Sequence, residues 1–372
     1  MMTRHKIITT AWVILLVISC SAFSNHANWM SAIPSDRILN QLIIPGTHDS
    51  GTATIKPQSP FSLSADAPMP LWFQIISNIL PRSIVRPIVA GWSKTQSLSI
   101  QSQLKEGVRY LDFRICLYPD QQFYFCHALI GSTFGAGLAS IQHFIKNHPS
   151  EIILLDINHI YNVKNAAQET HLIQMLQLFL GDIAIPNTYR PNDTIGKIHQ
   201  SLRNVIILMD VNQPITDPIA AQFAARYLWH ESKINSPWPN VSNMNALKNK
   251  LDAEIAFRAQ TVSSATNFFV LQAIQTENTN QVINGILDPK QFPTTIQWYA
   301  YPVNIGLTRF LNAEIAIYKQ SAINIVIADW LTKQSDLINF AIQYDTQAQI
   351  HRQHSTSREK WAALKNWYTK KE

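Results

Sequence analysis

Seven short, almost unbroken apolar runs punctuate the chain, at residues 42–44, 108–113, 123–125, 152–157, 205–209, 268–274 and 323–328. A strand with one face in water alternates apolar and polar residues, whereas these runs carry little polarity on either face. They predict strands buried on both sides, and hence a parallel sheet covered by helices. Segments with helical spacing fall between them, around 136–147, 165–180, 244–259, 309–320 and 331–343. Strands alternating with helices over about 320 residues predict a single α/β domain, a distorted (β/α)8 barrel of the TIM type. No internal repeat and no low-complexity linker interrupts the pattern.

The polar residues best suited to chemistry sit at or just beyond the C-terminal ends of these runs. His48 follows the first, Arg114 the second and His127 the third; Asn158 and His159 follow the fourth, Asp210 the fifth, Gln275 the sixth and Asp329 the last. A (β/α) barrel builds its active site at that face. The 372 residues are 46% hydrophobic and only 15% charged, which excludes intrinsic disorder for the bulk of the chain. The formal net charge of +6 resides in residues 1–6 and 351–372, and the rest carries as many acidic as basic side chains. A neutral body offers no footprint for a phosphate backbone, so no nucleic-acid partner is expected.

Residues 1–24 read as a secretory signal, with Arg4 and Lys6 ahead of an apolar run at 11–18 and small residues after it. That run is short of the ~20 apolar residues a membrane span needs. Cleavage after Ser24 and lipidation at Cys20 both fit the leader, with simple export preferred. The expected location is outside the cytoplasm, either secreted, periplasmic or lipid-anchored. Residues 25–345 form the expected barrel, interrupted at 60–92 by an apolar insert carrying Trp72, Phe73 and Trp92 beside Arg82 and Arg86. A lid packed on the barrel and a contact with a lipid interface fit the insert equally. Residues 346–372 predict a basic amphipathic helix. Thr356 and Glu359 make its capping box, and Trp361, Leu364 and Trp367 form a stripe beside lysines. Docking on the core and binding to anionic lipid both fit that tail.

Pro45-Gly46-Thr47-His48-Asp49-Ser50-Gly51 is the sharpest local motif. Its two glycines suit an abrupt turn, and a histidine beside a carboxylate can take or give a proton near neutral pH. Asp112 and Arg114, two apart on a strand, share one face. Inside a barrel they must pair or bind something charged, and a guanidinium at the mouth suits a phosphoryl oxygen. His127 is a second candidate acid or base, and Asp329 a candidate to orient one imidazole. Two histidines can divide a phosphodiester cleavage, one activating the nucleophile and one protonating the leaving oxygen. Cys116 and Cys126 flank a turn at 119–121, and both a disulfide and two buried thiols fit. Pairing them would turn His127 away from Asp112 and Arg114 unless a bulge or strand end re-aims it.

The stretches LIIPGTHDSGT, WSKTQSLSIQSQLKEGVRYLDFRI, FYFCHALIG and HPSEIILLDINHIY, continued by FVLQAIQT and INIVIADWL, carry a resemblance. Together they are similar to the X domain of phosphatidylinositol-specific phospholipases C, most of all to the single-domain, X-domain-containing type. The resemblance spans roughly residues 28–335. It implies a distorted (β/α) barrel and cleavage of phosphatidylinositol or a related phospholipid to diacylglycerol and a cyclic phosphorylated head group. Carried over residue by residue, it makes His48 the general base and His127 the general acid. Asp329 becomes the partner of the base, Asp49 the partner of the acid, and Arg114 the cation that takes up charge on the phosphorane. Members that use calcium have an acidic ligand where Arg114 stands, so neither calcium nor another cofactor is expected. Asp112 lines the site, while His159 and Asp210 fall where bacterial enzymes hold the inositol ring with Lys and Arg, and Asn158, His159 and Tyr161 resemble the single-domain subgroup, with Asn158 a further candidate for substrate binding. The head group is therefore open. Ala128 departs from the glycine usual after the acid histidine.

The expected partners are a phospholipid substrate and a membrane surface met peripherally. Two other readings stand beside this one. A glycerophosphodiester phosphodiesterase would want acidic metal ligands at Arg114. A catalytically silent lipid-binding module would have no use for both histidines, Arg114 and Asp329.

Overall fold

The computed structural model describes residues 26–62, 81–333 and 335–346. The leader with Cys20, Trp72 and Phe73 of the insert, and the tail beyond 346 lie outside the described residues. In chain order the strands are β1 (Ile44–Thr47), β2 (Tyr110–Leu117), β3 (Phe123–His127), β4 (Leu129–Thr133), β5 (Ile153–Tyr161), β6 (Val205–Leu208), β7 (Leu228–Trp229), β8 (Ile234–Asn235), β9 (Phe268–Gln272) and β10 (Ile325–Ala328). Eight of them pair in parallel in the order β7-β6-β5-β2-β1-β10-β9-β8. This is a curled parallel sheet of the TIM type whose barrel is incomplete. Among the described residues no ladder joins β7 to β8, which are two residues each and separated by a turn at Glu231–Lys233.

Helices cover the outside: α1 (Arg82–Ser93), α2 (Ile100–Glu106), α3 (Phe134–Asn147), α4 (Ala166–Leu180), α5 (Ile195–His199), α6 (Pro218–Tyr227), α7 (Met244–Thr261), α8 (Thr279–Leu287), α9 (Ile296–Tyr318) and α10 (Asp336–Thr346). Side chains placed to cap them start several, as where Thr133 accepts from the backbone of Ala136 and Asn165 from that of Gln168. Every residue of β1, β6 and β10 is buried, as strands covered on both faces require.

Four expectations shift. The first run is strand only from Ile44, because residues 39–41 form a single 3-10 turn. The third run is not a barrel strand. It is β3, antiparallel to β2 and β4 in a hairpin that branches from the sheet. Helix α9 runs back through Pro302 to Ile296. Helix α10 starts at Asp336 rather than at 331, and the backbone N–H of Leu331 donates to Gln96 Oε1. The strands β7 and β8 left no signal, since two residues cannot show a period.

The base of the barrel is closed by charge. Arg109 is fully buried, and its Nε and Nη2 donate to Glu151 Oε2 at 2.7 and 2.5 Å. Its remaining donors reach the carbonyls of Leu104, Val108, His26 and Ala27. A buried ion pair survives desolvation only when its other hydrogen-bonding groups are satisfied, as here. No described helix is long and apolar enough to cross a membrane.

Candidate active site

The loop after β1 approaches its neighbours more closely than any side chain permits. A Cβ on Gly51 would lie 2.1 Å from the Phe125 ring, and one on Gly46 would lie 2.8 Å from both Ile327 and Tyr110. The two glycines are therefore needed for space rather than for an unusual turn, correcting the expectation. The left-handed residue in the loop is Asp49, at φ 42. Its N–H donates to Asp112 Oδ2 at 2.9 Å, and that anchor supports the conformation.

This places His48 between two groups. Its Nδ1 lies 2.8 Å from Asp329 Oδ1, and its Nε2 lies 2.7 Å from Arg114 Nη2. A guanidinium can only donate, so Nε2 accepts and Nδ1–H donates to Asp329. Burial lowers the His48 pKa, but Asp329, its hydrogen bond and Asp112 outweigh burial and Arg114, and the net shift is upward. Asp112 Oδ2 stands 4.0 Å from Nε2. Burial alone would raise the pKa of Asp112, yet Arg114 and His48 lower it and keep it ionised. Arg114 itself is half-buried. Burial disfavours its charge, but Asp112 and Asp49 more than restore it. Its Nε has no hydrogen-bond partner among the described residues.

His127 arrives from the other side. It ends β3 next to Ala128, whose φ is 56, and the β3–β4 register shifts between Tyr124 and Cys126. Bulge and strand end are thus both present. Its Nδ1 lies 2.9 Å from the Ser93 carbonyl and 3.7 Å from Asp49 Oδ2. A carbonyl can only accept, so Nδ1–H donates to it. Cys116 pairs in register with Tyr124, and both cysteines are buried free thiols.

The sheet register shifts between Asp112 and Arg114, so that Arg114 opposes His159 on β5. Asn158 Nδ2 donates to Asp112 Oδ1 at 2.8 Å, and its Oδ1 takes the Nδ1–H of His159. Burial first, then Arg114, lowers the His159 pKa. Asp210 has its own partners. It accepts from the backbone of Glu231 at 2.9 Å and lies 3.5 Å from His230 Nε2, capping the turn between β7 and β8.

Sequence reasoning missed the braces. Gln96 Nε2 donates to the carbonyls of His48 and Ala328, tying the ends of β1 and β10 together. Gln103 Nε2 holds the Ser50 carbonyl. Asn304 on α9 donates to the Asp329 carbonyl, and Trp330, at φ 50, donates from Nε1 to the Lys94 carbonyl. The one available signal was polarity without a pattern, in the run TQSLSIQSQ. Among the described residues no three His, Cys, Asp or Glu converge as a metal site.

No protein-family model matches the chain. PI-PLC X domain-containing protein 2 of Homo sapiens is 31% identical over 271 residues, covering 70% of this chain and 81% of that protein. The chain belongs to the PI-PLC X domain-containing proteins. Protein 3 of the same family from Homo sapiens is 26% identical, covering 85% of this chain and 92% of its own length. Protein 3 from Danio rerio is 27% identical over 286 residues. In fold, the chain is similar to the phosphatidylinositol-specific phospholipase C from Listeria monocytogenes, with a TM-score of 0.58 at 18% identity, covering 87% of this chain and 99% of that one. The S. aureus enzyme gives the same TM-score at 14% identity.

Proposed function

We propose that this X-domain protein cleaves phosphatidylinositol or a related phospholipid at the diacylglycerol side of its phosphodiester. The observation that carries the reading is a half-buried guanidinium with a spare Nε donor, resting on the lone pair of a carboxylate-backed histidine. His48 Nε2 takes the proton from a head-group hydroxyl, and that oxygen bonds to phosphorus. His127 Nε2 gives its proton to the diacylglycerol oxygen as the P–O bond breaks, leaving a cyclic phosphodiester. Nucleophile and phosphorus belong to one molecule, which removes an entropic barrier. Arg114 swings from His48 to the phosphoryl oxygen and takes up the developing charge. In this reading the guanidinium does what a cation does elsewhere, and no metal is used.

The lipid surface is met by the rim. Trp298, Tyr301 and Ile305 on α9 are 54%, 70% and 61% exposed. They lie three and four residues apart and so form one stripe. Asn304, on the same turns, holds the Asp329 carbonyl, so the stripe borders the site. The S. aureus fold neighbour is itself described by its membrane binding. We further propose export, from the basic and apolar leader at 1–24.

The test is release of water-soluble phosphorus from vesicles of defined phospholipids, with and without EDTA. Cyclic inositol phosphate formed in EDTA supports the reading. Turnover abolished by EDTA sinks the role of Arg114, and vesicle binding without turnover of any lipid sinks the enzyme.

A further inference from the structure

Asp156 has no part in the scheme above, yet it is fully buried one strand from Asp112, the two in register on β5 and β2. Tyr110 Oη donates to its Oδ2 at 2.5 Å. Asn158 Nδ2 lies 3.4 Å from the same oxygen while donating to Asp112 at 2.8 Å. Oδ1 of Asp156 has no hydrogen-bond partner among the described residues. Two carboxylates served by one amide do not both ionise readily, and an ionised one with an unpaired oxygen is costly to bury. Arg114 and His48 fix the charge on Asp112, so the proton falls to Asp156.

The surrounding groups agree. Burial, with Asp112 and Glu231 adding to it, pushes Asp156 up to about 7 against the hydrogen bonds from Tyr110 and Asn158. Glu231 faces it from the turn after β7, and Leu208 of β6 completes the layer. On β2 the facing groups are Tyr110 and Asp112.

We propose that Asp156 is a positioning residue for the base: as a neutral acid it leaves the Asn158 amide to Asp112, and on ionising it draws that amide away. Asp112 holds the Asp49 N–H and stands beside His48, so the hold on the base loosens with it. The proposal rests on reading His48 as the base. Turnover then declines as pH rises through the ionisation of Asp156, over and above the histidine limbs. Asp156→Asn, neutral at every pH, lacks that decline. Tyr110→Phe removes a donor that favours the anion, and moves the decline to higher pH.

The experiment follows the side-chain amide of Asn158 by NMR across neutral pH in the 15N-labelled chain, the resonance assigned by its loss in Asn158→Ala. The expected inflection lies near 7, is absent in Asp156→Asn and moves up in Tyr110→Phe. A flat titration in the wild type overturns the proposal, as does one that persists in Asp156→Asn. Should Asp156→Asn fail to fold, Tyr110→Phe carries the test alone. The pH dependence of kcat/KM on phosphatidylinositol vesicles is measured alongside. Absence of all turnover condemns the reading of His48, and the amide titration still decides Asp156. Turnover with superimposable profiles in wild type and Asp156→Asn condemns the positioning role and leaves the reading standing.

Discussion

Arg114 Nη2 and His48 Nε2 are 2.7 Å apart. The group proposed to receive phosphoryl charge thus rests on the lone pair proposed to receive the proton. In the proposed mechanism a bound phosphodiester would compete for the guanidinium and thereby uncover the base, so that base and cation become available in one step.

In the proposed mechanism, removing either proton-transfer group slows turnover sharply. His48→Ala and His127→Ala are each expected to lose about 10²–10⁴-fold in kcat. Vesicle binding and thermal midpoint stay near wild type. Release of soluble phosphorus from labelled phosphatidylinositol, compared with vesicle sedimentation, separates the two effects. Variants that keep turnover would deny both histidines their roles.

Arg114→Gln keeps length and polarity but loses the charge. The expected loss in kcat is about 10²–10³-fold, the range for removing one donor to a developing oxyanion. EDTA is expected to leave the wild type active, and added calcium is expected not to rescue the variant. Rescue by calcium would show that a metal can stand in the guanidinium's place.

The rim stripe is proposed to act on interfaces alone. Trp298→Ala combined with Tyr301→Ser is expected to weaken sedimentation with phospholipid vesicles and to slow turnover on them. Hydrolysis of a short-chain, monomeric phosphatidylinositol keeps its wild-type rate. Equal loss on both substrates would place these residues in packing rather than docking.

Two buried carboxyl groups separate stability from chemistry. Glu151→Gln leaves Arg109 charged without its counter-ion in the barrel base, and one-sided loss of a buried pair costs about 3–5 kcal/mol. Urea denaturation should show that loss even though the pair is remote from the histidines. Asp156 gives the opposite lesson through pH. Its folded pKa of about 7 lies above the ordinary 3.8, so the native state binds more protons than the unfolded state between those values. Stability from this group is whole below about pH 4 and falls as pH rises, levelling off above pH 7 at a cost on the order of 4 kcal/mol. Denaturation midpoints in Asp156→Asn should lack that component of the slope.

Much of the site was legible because its residues end apolar runs. A buried strand must stop where polar atoms can be satisfied, and in a parallel barrel every strand stops at the same face. His48, Arg114, Asn158, His159 and Asp329 could be named in this way. His127 was named for a partly mistaken reason, since it ends an antiparallel hairpin strand rather than a barrel strand. Asp210 fits the same pattern, yet it caps the turn after β7. Asp156 was passed over because it lies inside an apolar run, where a lone carboxylate has no periodicity to mark it.

The sequence by itself determined the parallel α/β class, the candidate face and the residue types available there, because burial on both faces and strand ends are local properties of the chain. Only the tertiary structure decided which side chains meet. Asp329 is 281 residues from His48 along the chain and 2.8 Å from it in space. The missing β7–β8 ladder, the crowding of Gly51 against Phe125 and the carboxyl pair under Asn158 likewise depend on strand register and curl. Those are set by packing between distant segments, for which no local pattern of residues carries a signal.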